Sequence, residues 1–223
     1  MDVLIIGAAG GVGRRLATLL TSRGDRVTGM HRKPEQAALI TVTGATPAPG
    51  DLIADSVDQL AARMQGHDAV VFSAGAHGNG MDQTTLIDGK GLEKAATAAA
   101  GAGVSTFVLV SAFPESERGR FLSDGYEHYM RVKKAADVYL TRTQLDWLII
   151  RPGPLRDEPG TGHVSAAVAT DYAPTTRDDV AEFITAALHE PALRRIIIEL
   201  TNGPTAIVDA VSILATDHTR QRG

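Results

Sequence analysis

Residues 3–20, VLIIGAAGGVGRRLATLL, constrain this chain more than any other stretch. Val3, Leu4, Ile5 and Ile6 form a short unbroken apolar run, the pattern of a strand buried on both faces, as in a parallel sheet. Gly7, Gly10, Gly11 and Gly13 follow at once. Val12, Leu16, Leu19 and Leu20 then recur at i, i+4, i+7 and i+8, the spacing of one helix face. Strand, glycine turn and helix in that order open a dinucleotide-binding unit. Gly7 permits the tight turn, and Gly10 or Gly11 lets the backbone approach a pyrophosphate. Gly13 lets the helix pack close to the strand. The helix N-terminus offers unpaired N–H groups and the positive end of its dipole to phosphate.

The glycine spacing narrows the class. Position 9 is Ala9, so the dehydrogenase fingerprint GxGxxG is absent. The cluster satisfies GxxGxxG through Gly7, Gly10 and Gly13, and GxxxGxG through Gly7, Gly11 and Gly13. In both patterns it resembles the short-chain dehydrogenase/reductase superfamily.

Composition excludes several functions. With 223 residues, 43% of them hydrophobic and 22% charged, the chain can bury a substantial core in one large domain. Its net charge of −4 offers no electrostatic case for nucleic acid. The absence of cysteine removes disulfides, thiol catalysis and thiolate metal sites. No apolar run reaches the length of a membrane span. The chain opens on its first strand, which leaves no stretch for a signal peptide, so a cytoplasmic protein is expected.

Along the chain, Gly24 stops the first helix. Residues 26–30 read as a second strand, ending at His31, Arg32 and Lys33. An acid at this place binds the ribose 2′-hydroxyl of NAD, and a nearby Arg accommodates the 2′-phosphate of NADP. Here the acid is missing and two permanent cations stand instead, which points to NADP. A third strand is expected within 46–50. Asp51 and Leu52 follow it, and Asp51 suits a helix N-cap or a turn. A helix over 56–64, capped by Asp55 or Ser56, leads to a buried strand at 68–73. Ala74 and Gly75 then bring small residues to a strand's C-terminal end, where open parallel sheets bind ligands. Residues 76–81 form a glycine-rich loop, and a long helix is expected over 83–100.

A strand at 104–110 ends beside Ser111. A helix over 125–143 and a strand at 146–150 precede Pro152, Gly153, Pro154 and Leu155, a rigid loop. Residues 156–176 show little periodicity beyond a strand at 163–169. Thr176 with Asp179 resembles a capping box, although Asp replaces the usual Glu or Gln. A helix, a strand at 194–200, a helix at 205–215 and a frayed polar tail at 217–223 complete the chain. The alternation predicts an α/β fold, a parallel sheet covered on both faces by helices; the resemblance implies that it is a doubly wound parallel sheet of Rossmann type with a small C-terminal substrate region. A single NAD(P)-binding domain over 1–223 is expected, with 152–176 on the substrate side.

Tyr129 and Lys133 form YxxxK. On a helix, positions i and i+4 share a face, so phenol and ammonium project together. A phenol with a pKa near 10 is a poor acid–base group at neutral pH, and a cation beside it lowers that value. Ser111 can orient a substrate carbonyl or hydroxyl, and Lys133 can hydrogen-bond the nicotinamide ribose. Tyr126 and Tyr139 lack the lysine spacing. The histidines form no ligand-like cluster, so no metal site is expected.

The run from Tyr129 to Leu155, with KKAAD, LDWLIIRPGPL and the following DEPGTG, looks like the atypical short-chain reductases that bind NAD(P)H. The likeness extends from Gly7 to the helix at 177–190. It implies that Gly7, Gly10, Gly11, Val12 and Gly13 bind the pyrophosphate, Arg32 the 2′-phosphate, Asp51 and Leu52 the adenine, and Ala74 and Gly75 the ribose. Lys33 adds charge beside Arg32. Lys133 and the loop of Pro152, Gly153 and Leu155 would meet the nicotinamide end. Ser111, Tyr129 and Lys133 match the superfamily's catalytic trio, although the gap of eighteen positions from Ser111 to Tyr129 is longer than in main-line members. The expected activity is NADP-dependent reduction of a small carbonyl, quinone or flavin-like acceptor. A non-catalytic NADP-binding sensor and a nucleotide-sugar epimerase are the alternatives. A monomer or loose homodimer is expected.

Overall fold

A computed structural model of the chain describes residues 1–76, 78–117, 120 and 122–222. Parts of the loops expected at 76–81 and 113–124, and the last residue of the expected tail, lie outside the described residues.

The first half reads β1 (Asp2–Ile6), α1 (Gly11–Arg23), β2 (Arg26–His31), α2 (Gln36–Thr41), β3 (Thr46–Pro49), α3 (Val57–Met64) and β4 (Ala69–Phe72). It continues with α4 (Met81–Thr84), a π-helical stretch (Thr85–Gly91), α5 (Leu92–Gly101), β5 (Thr106–Val110), α6 (Asp124–Thr141) and β6 (Asp146–Pro152). Then come β7 (Leu155–Arg156), β8 (His163–Ala167), β9 (Thr175–Thr176), α7 (Arg177–Leu188), β10 (Ile196–Asn202), β11 (Thr205–Ala206) and α8 (Ile207–Arg222).

The main sheet has nine strands in the order β3-β2-β1-β4-β5-β6-β10-β8-β11. All pairings from β3 to β10 are parallel; β8 and β11 are antiparallel additions at one edge. The direction of winding reverses between β1 and β4, the switch point at which such sheets bind ligands beyond their C-terminal strand ends.

Alternation along β1 explains its unbroken apolar run. Val3 and Ile5 face a core built with α1, α7 and α8, which includes Leu16, Phe183 and Val211. Leu4 and Ile6 face the opposite core, with Leu60 of α3, Leu92 of α5 and Leu140 of α6. These four of the five β1 residues are fully buried. In α1 the buried stripe is Val12, Leu16 and Leu20 with Gly13 and Ala17, whereas Leu19 is exposed. Gly24 ends that helix in the left-handed region, with φ of 96°.

Several boundaries differ from expectation, each for a tertiary reason. The helix expected at 83–100 begins at Met81 and is broken by a π-helical stretch, which turns Asp88 inward. The region 156–176 is partly ordered into sheet: β7 pairs with β9, and β8 joins β10. Residues 205–206 form an edge strand rather than a helix start. The expected frayed tail is helical through Arg222. Buried Leu214 and Ala215 anchor it, and His218 Nε2 lies 2.9 Å from the Arg194 carbonyl. Ser56, not Asp55, caps α3, in a reciprocal capping box with Gln59. Among the described residues no helix is long and apolar enough to cross a membrane.

Candidate active site

Two contiguous cavities, of about 330 and 570 Å³, run along the C-terminal strand ends and share Gly10, Ser73, Ala74, Gly75 and Ala76. The glycine turn forms their common floor. Gly7 has φ of 87°, and a Cβ on it would stand 2.6 Å from the Ala74 nitrogen. On Gly13 a Cβ would stand 2.4 Å from the Gly7 carbonyl oxygen, so that glycine serves helix–strand packing. Gly10 caps α1 without a side chain, and no acid occupies the first turn. The Gly10 N–H donates to the Gly7 carbonyl at 2.9 Å, and the N–H groups of the first turn beyond it suit an anion.

The smaller cavity lies on the side of the basic turn. Arg32, Asp51 and Leu52 line it, with Met30 and Gln36, which sequence reasoning passed over. Asp51 has the turn role: its Oδ1 accepts from the Ile53 and Ala54 N–H groups at 2.7 and 3.3 Å. Gln36 fixes the basic turn by accepting from the backbone N–H groups of Arg32 and Lys33 at 3.2 and 3.0 Å. Among the described lining residues of the two cavities, Lys33, Gly13, Pro152 and Gly153 do not appear. Lys33 is exposed. Gly153 serves a backbone crossing, because a Cβ there would fall 1.8 Å from the Ala173 carbonyl oxygen. Of the Pro-Gly-Pro-Leu loop, Leu155 reaches the wall.

The larger cavity holds Ser111, Tyr129 and Lys133 together with Val12 and Leu155. The long gap between Ser111 and Tyr129 therefore does not keep them from one wall. Ser123 starts α6 by accepting from the Tyr126 N–H. One face of α6 then presents Tyr129, Lys133 and Asp137, four residues apart. Lys133 is 2% exposed. Its Nζ donates to the Val110 carbonyl at 3.0 Å and lies 3.6 Å from Asp88 Oδ1. Asp88 in turn accepts from the Ala76 N–H at 2.9 Å. The π-helical stretch thus supplies the counter-charge for the buried lysine, and removing either partner would strand the other charge.

Ser111 Oγ donates to Asp137 Oδ1 at 2.6 Å, and Arg151 Nε donates to Asp137 Oδ2 at 2.9 Å. With its hydrogen on Asp137, Ser111 presents lone pairs to the cavity. It can accept from a hydroxyl or N–H, and it is not set to donate to a carbonyl. Burial raises the Asp137 pKa against the pull of Ser111 and Arg151. Burial likewise raises that of Tyr129; Lys133 lowers it, and Asp88 raises it further. This corrects the expectation of a phenol made more acidic by its lysine. The lysine's effect is present, but desolvation outweighs it.

Asp88, Asp137, Arg151 and Arg177 were not found from sequence. Asp137 carries a local signal, the i+4 spacing from Lys133. The others meet the site only through the fold. Among the described residues no group of side chains suits a metal ion.

The model of the NAD(P)H-binding family matches residues 7–191. The chain belongs to this family. A Bacillus subtilis relative named an uncharacterized sugar epimerase, YhfK, is 39% identical over 216 residues, covering 96% of this chain and all of that one. A Bacillus halodurans structure provisionally described as an NAD-dependent epimerase/dehydratase superposes with a TM-score of 0.88 at 32% identity, over 96% of this chain and 100% of that one. The oxidoreductase YlbE from Lactococcus lactis gives 0.85 at 28% identity, over 98% of both chains. These members of the NAD(P)-binding Rossmann superfamily carry both epimerase and oxidoreductase names.

The cleft fits a dinucleotide. It runs from Arg32 to Tyr129 across a glycine turn, and a side chain on Gly7 would fill the turn that forms its floor.

Proposed function

We propose that the protein is an NADP-dependent reductase of a small carbonyl, quinone or flavin-like acceptor. One observation carries the reading: a half-buried tyrosine shares a wall with Ser111 and Lys133, at the far end of a cleft that starts on a glycine turn. The nicotinamide cofactor supplies the hydride when bound. The backbone at Gly10 and Gly11 would hold its pyrophosphate, Arg32 its 2′-phosphate, Asp51 and Leu52 its adenine, and Ala74 and Gly75 a ribose. Lys133 and Leu155 would meet the nicotinamide end.

Tyr129 is the proton donor in this reading. The phenol is protonated at neutral pH, as any phenol is, and can give its proton to the developing alkoxide, which is a stronger base than the phenolate; desolvation leaves it a weaker acid than a free phenol. Ser111 accepts from the tyrosine hydroxyl or from the product alcohol. Lys133, neutralised by Asp88, holds the ribose and shapes the wall more than it acidifies the phenol. The described lining of the larger cavity carries no cation besides Lys133 and Arg177, and both are engaged. This favours a neutral acceptor over a nucleotide sugar.

The test is NADPH oxidation against a panel of carbonyls, quinones and flavins. Tyr129→Phe should lower turnover by about two to four powers of ten while leaving NADPH binding intact. In the pH profile of kcat/KM, the alkaline limb should lie above the ordinary phenol value of about 10, and Asp88→Asn should move it downward. An unchanged Tyr129→Phe turnover removes the tyrosine from the mechanism. An epimerase would turn over a sugar nucleotide with no net NADPH consumption. Arg32→Ala should weaken NADPH and leave NADH unchanged; equal losses for the two would refute the NADP preference.

A further inference from the structure

Arg177 is the first residue of α7, yet its side chain lies across the glycine turn. A Cβ on Gly11 would stand 2.6 Å from its Cδ and 2.8 Å from its Nε. It lines the larger cavity beside Gly10, Gly11 and Leu155. The adjoining N-terminal end of α1 carries partial positive charge and repels a guanidinium. Asp157 is what offsets this. Arg177 Nη1 lies 2.9 Å from Asp157 Oδ2 and donates to the Leu155 carbonyl at 3.4 Å. The other Asp157 oxygen lies 3.5 Å from Arg15 Nη2. The Asp157 side chain is 73% exposed. An ion pair so exposed adds little to folding, but it sets a carboxylate beside a place suited to an anion.

We propose that Asp157 is a built-in competitor of the dinucleotide's pyrophosphate, and that Arg177 passes from one to the other when the cofactor binds. The proposal rests on the NADP-dependent reading and adds to it a phosphate ligand outside the glycine motif. A guanidinium forks onto phosphate oxygens with two parallel hydrogen bonds, and the doubly charged pyrophosphate offers more charge than one solvated carboxylate. The exchange also unties residues 155–157 from α7. Those residues open the substrate-side segment through the pairing of Leu155 with Thr175 and of Arg156 with Thr176. Cofactor arrival is thereby felt where the acceptor binds, and it favours binding of the cofactor first.

The test is titration with NADPH, followed by fluorescence, of the wild type, Asp157→Asn, Arg177→Gln and the double variant, with thermal melting to check folding. Arg177→Gln should weaken binding about thirty-fold, the range of a lost charged hydrogen bond. Asp157→Asn should tighten it about three-fold, the scale of an exposed ion pair. In the Arg177→Gln background, Asp157→Asn should change nothing. Adenosine 2′-monophosphate, which lacks the 5′-phosphate, should bind all four proteins equally by calorimetry. Should Arg177→Gln fail to fold, Arg177→Lys keeps the charge without the fork and should weaken NADPH alone. Weaker NADPH binding by Asp157→Asn overturns the exchange, as does the same tightening with and without Arg177. A wild type that binds neither NADPH nor adenosine 2′-monophosphate overturns the cofactor reading and the exchange together. NADPH binding with wrong-signed variants overturns the exchange alone.

Discussion

Helices α1 and α7 begin side by side at the same cleft, and their N-termini are finished in opposite ways. Gly10 caps α1 with no side chain, and no acid follows in its first turn. Thr176 caps α7 by accepting from the Asp179 N–H at 3.0 Å, and Asp178 and Asp179 occupy the first turn. Asp179 is fully buried and accepts from the Thr161 and Gly162 N–H groups at 2.9 and 2.8 Å, as well as from the Thr176 hydroxyl at 2.8 Å. It is therefore no capping box: the carboxylate bonds the Thr176 hydroxyl rather than the Thr176 N–H and uses its remaining capacity on residues 161 and 162. A helix start stripped of side chains leaves its N–H groups to a ligand, whereas one supplied with carboxylates uses its charge on the protein itself.

Three substitutions test that contrast. The largest effect is expected for Asp179→Ala, which leaves the Thr161 and Gly162 N–H groups and the Thr176 hydroxyl without their acceptor. Urea unfolding should show a loss of about 3 kcal/mol. A loss no larger than that of a simple cap would mean that the carboxylate does not close this end. Next is Gly13→Ala on the open side, where the added methyl meets the Gly7 carbonyl oxygen. Overpacking of this kind should cost about 2 kcal/mol, and NADPH affinity should fall with it because the turn must shift. Full affinity in a stable Gly13→Ala protein would separate the packing of α1 from phosphate binding. The smallest effect belongs to Thr176→Ala, about 1 kcal/mol by thermal or urea unfolding, since Asp179 keeps its other donors. A cost equal to that of Asp179→Ala would place the closure in the cap instead.

The glycine turn was legible because its requirements are local. An apolar run, a positive φ at Gly7 and a close approach at Gly13 all act within a dozen residues. The parallel sheet followed from the alternation of elements, since parallel strands need crossovers, whereas the strand order came from the fold. Tyr129 and Lys133 were legible as a spacing and Ser111 as a strand end, and all three line the larger cavity. The state of Tyr129 was not legible. The sequence shows the lysine that lowers its pKa and hides the burial that raises it. The packing of Gly153 was hidden for a similar reason: only the fold brings the Ala173 carbonyl against it.

The sequence by itself determined the nucleotide-binding class, the position of the glycine turn and the face of α6 that carries Tyr129 and Lys133. Each of these follows from backbone sterics or from helical periodicity over one or two turns. The tertiary structure decided the charges around them. Asp88 reaches Lys133 through a π-helical stretch forty-five positions upstream, and Asp137 takes the hydrogen of Ser111. Arg177 crosses from α7 to lie on Gly11 of α1. Electrostatic energy depends on distance and on exclusion of water, and neither quantity exists along the chain until the sheet has brought its strand ends together.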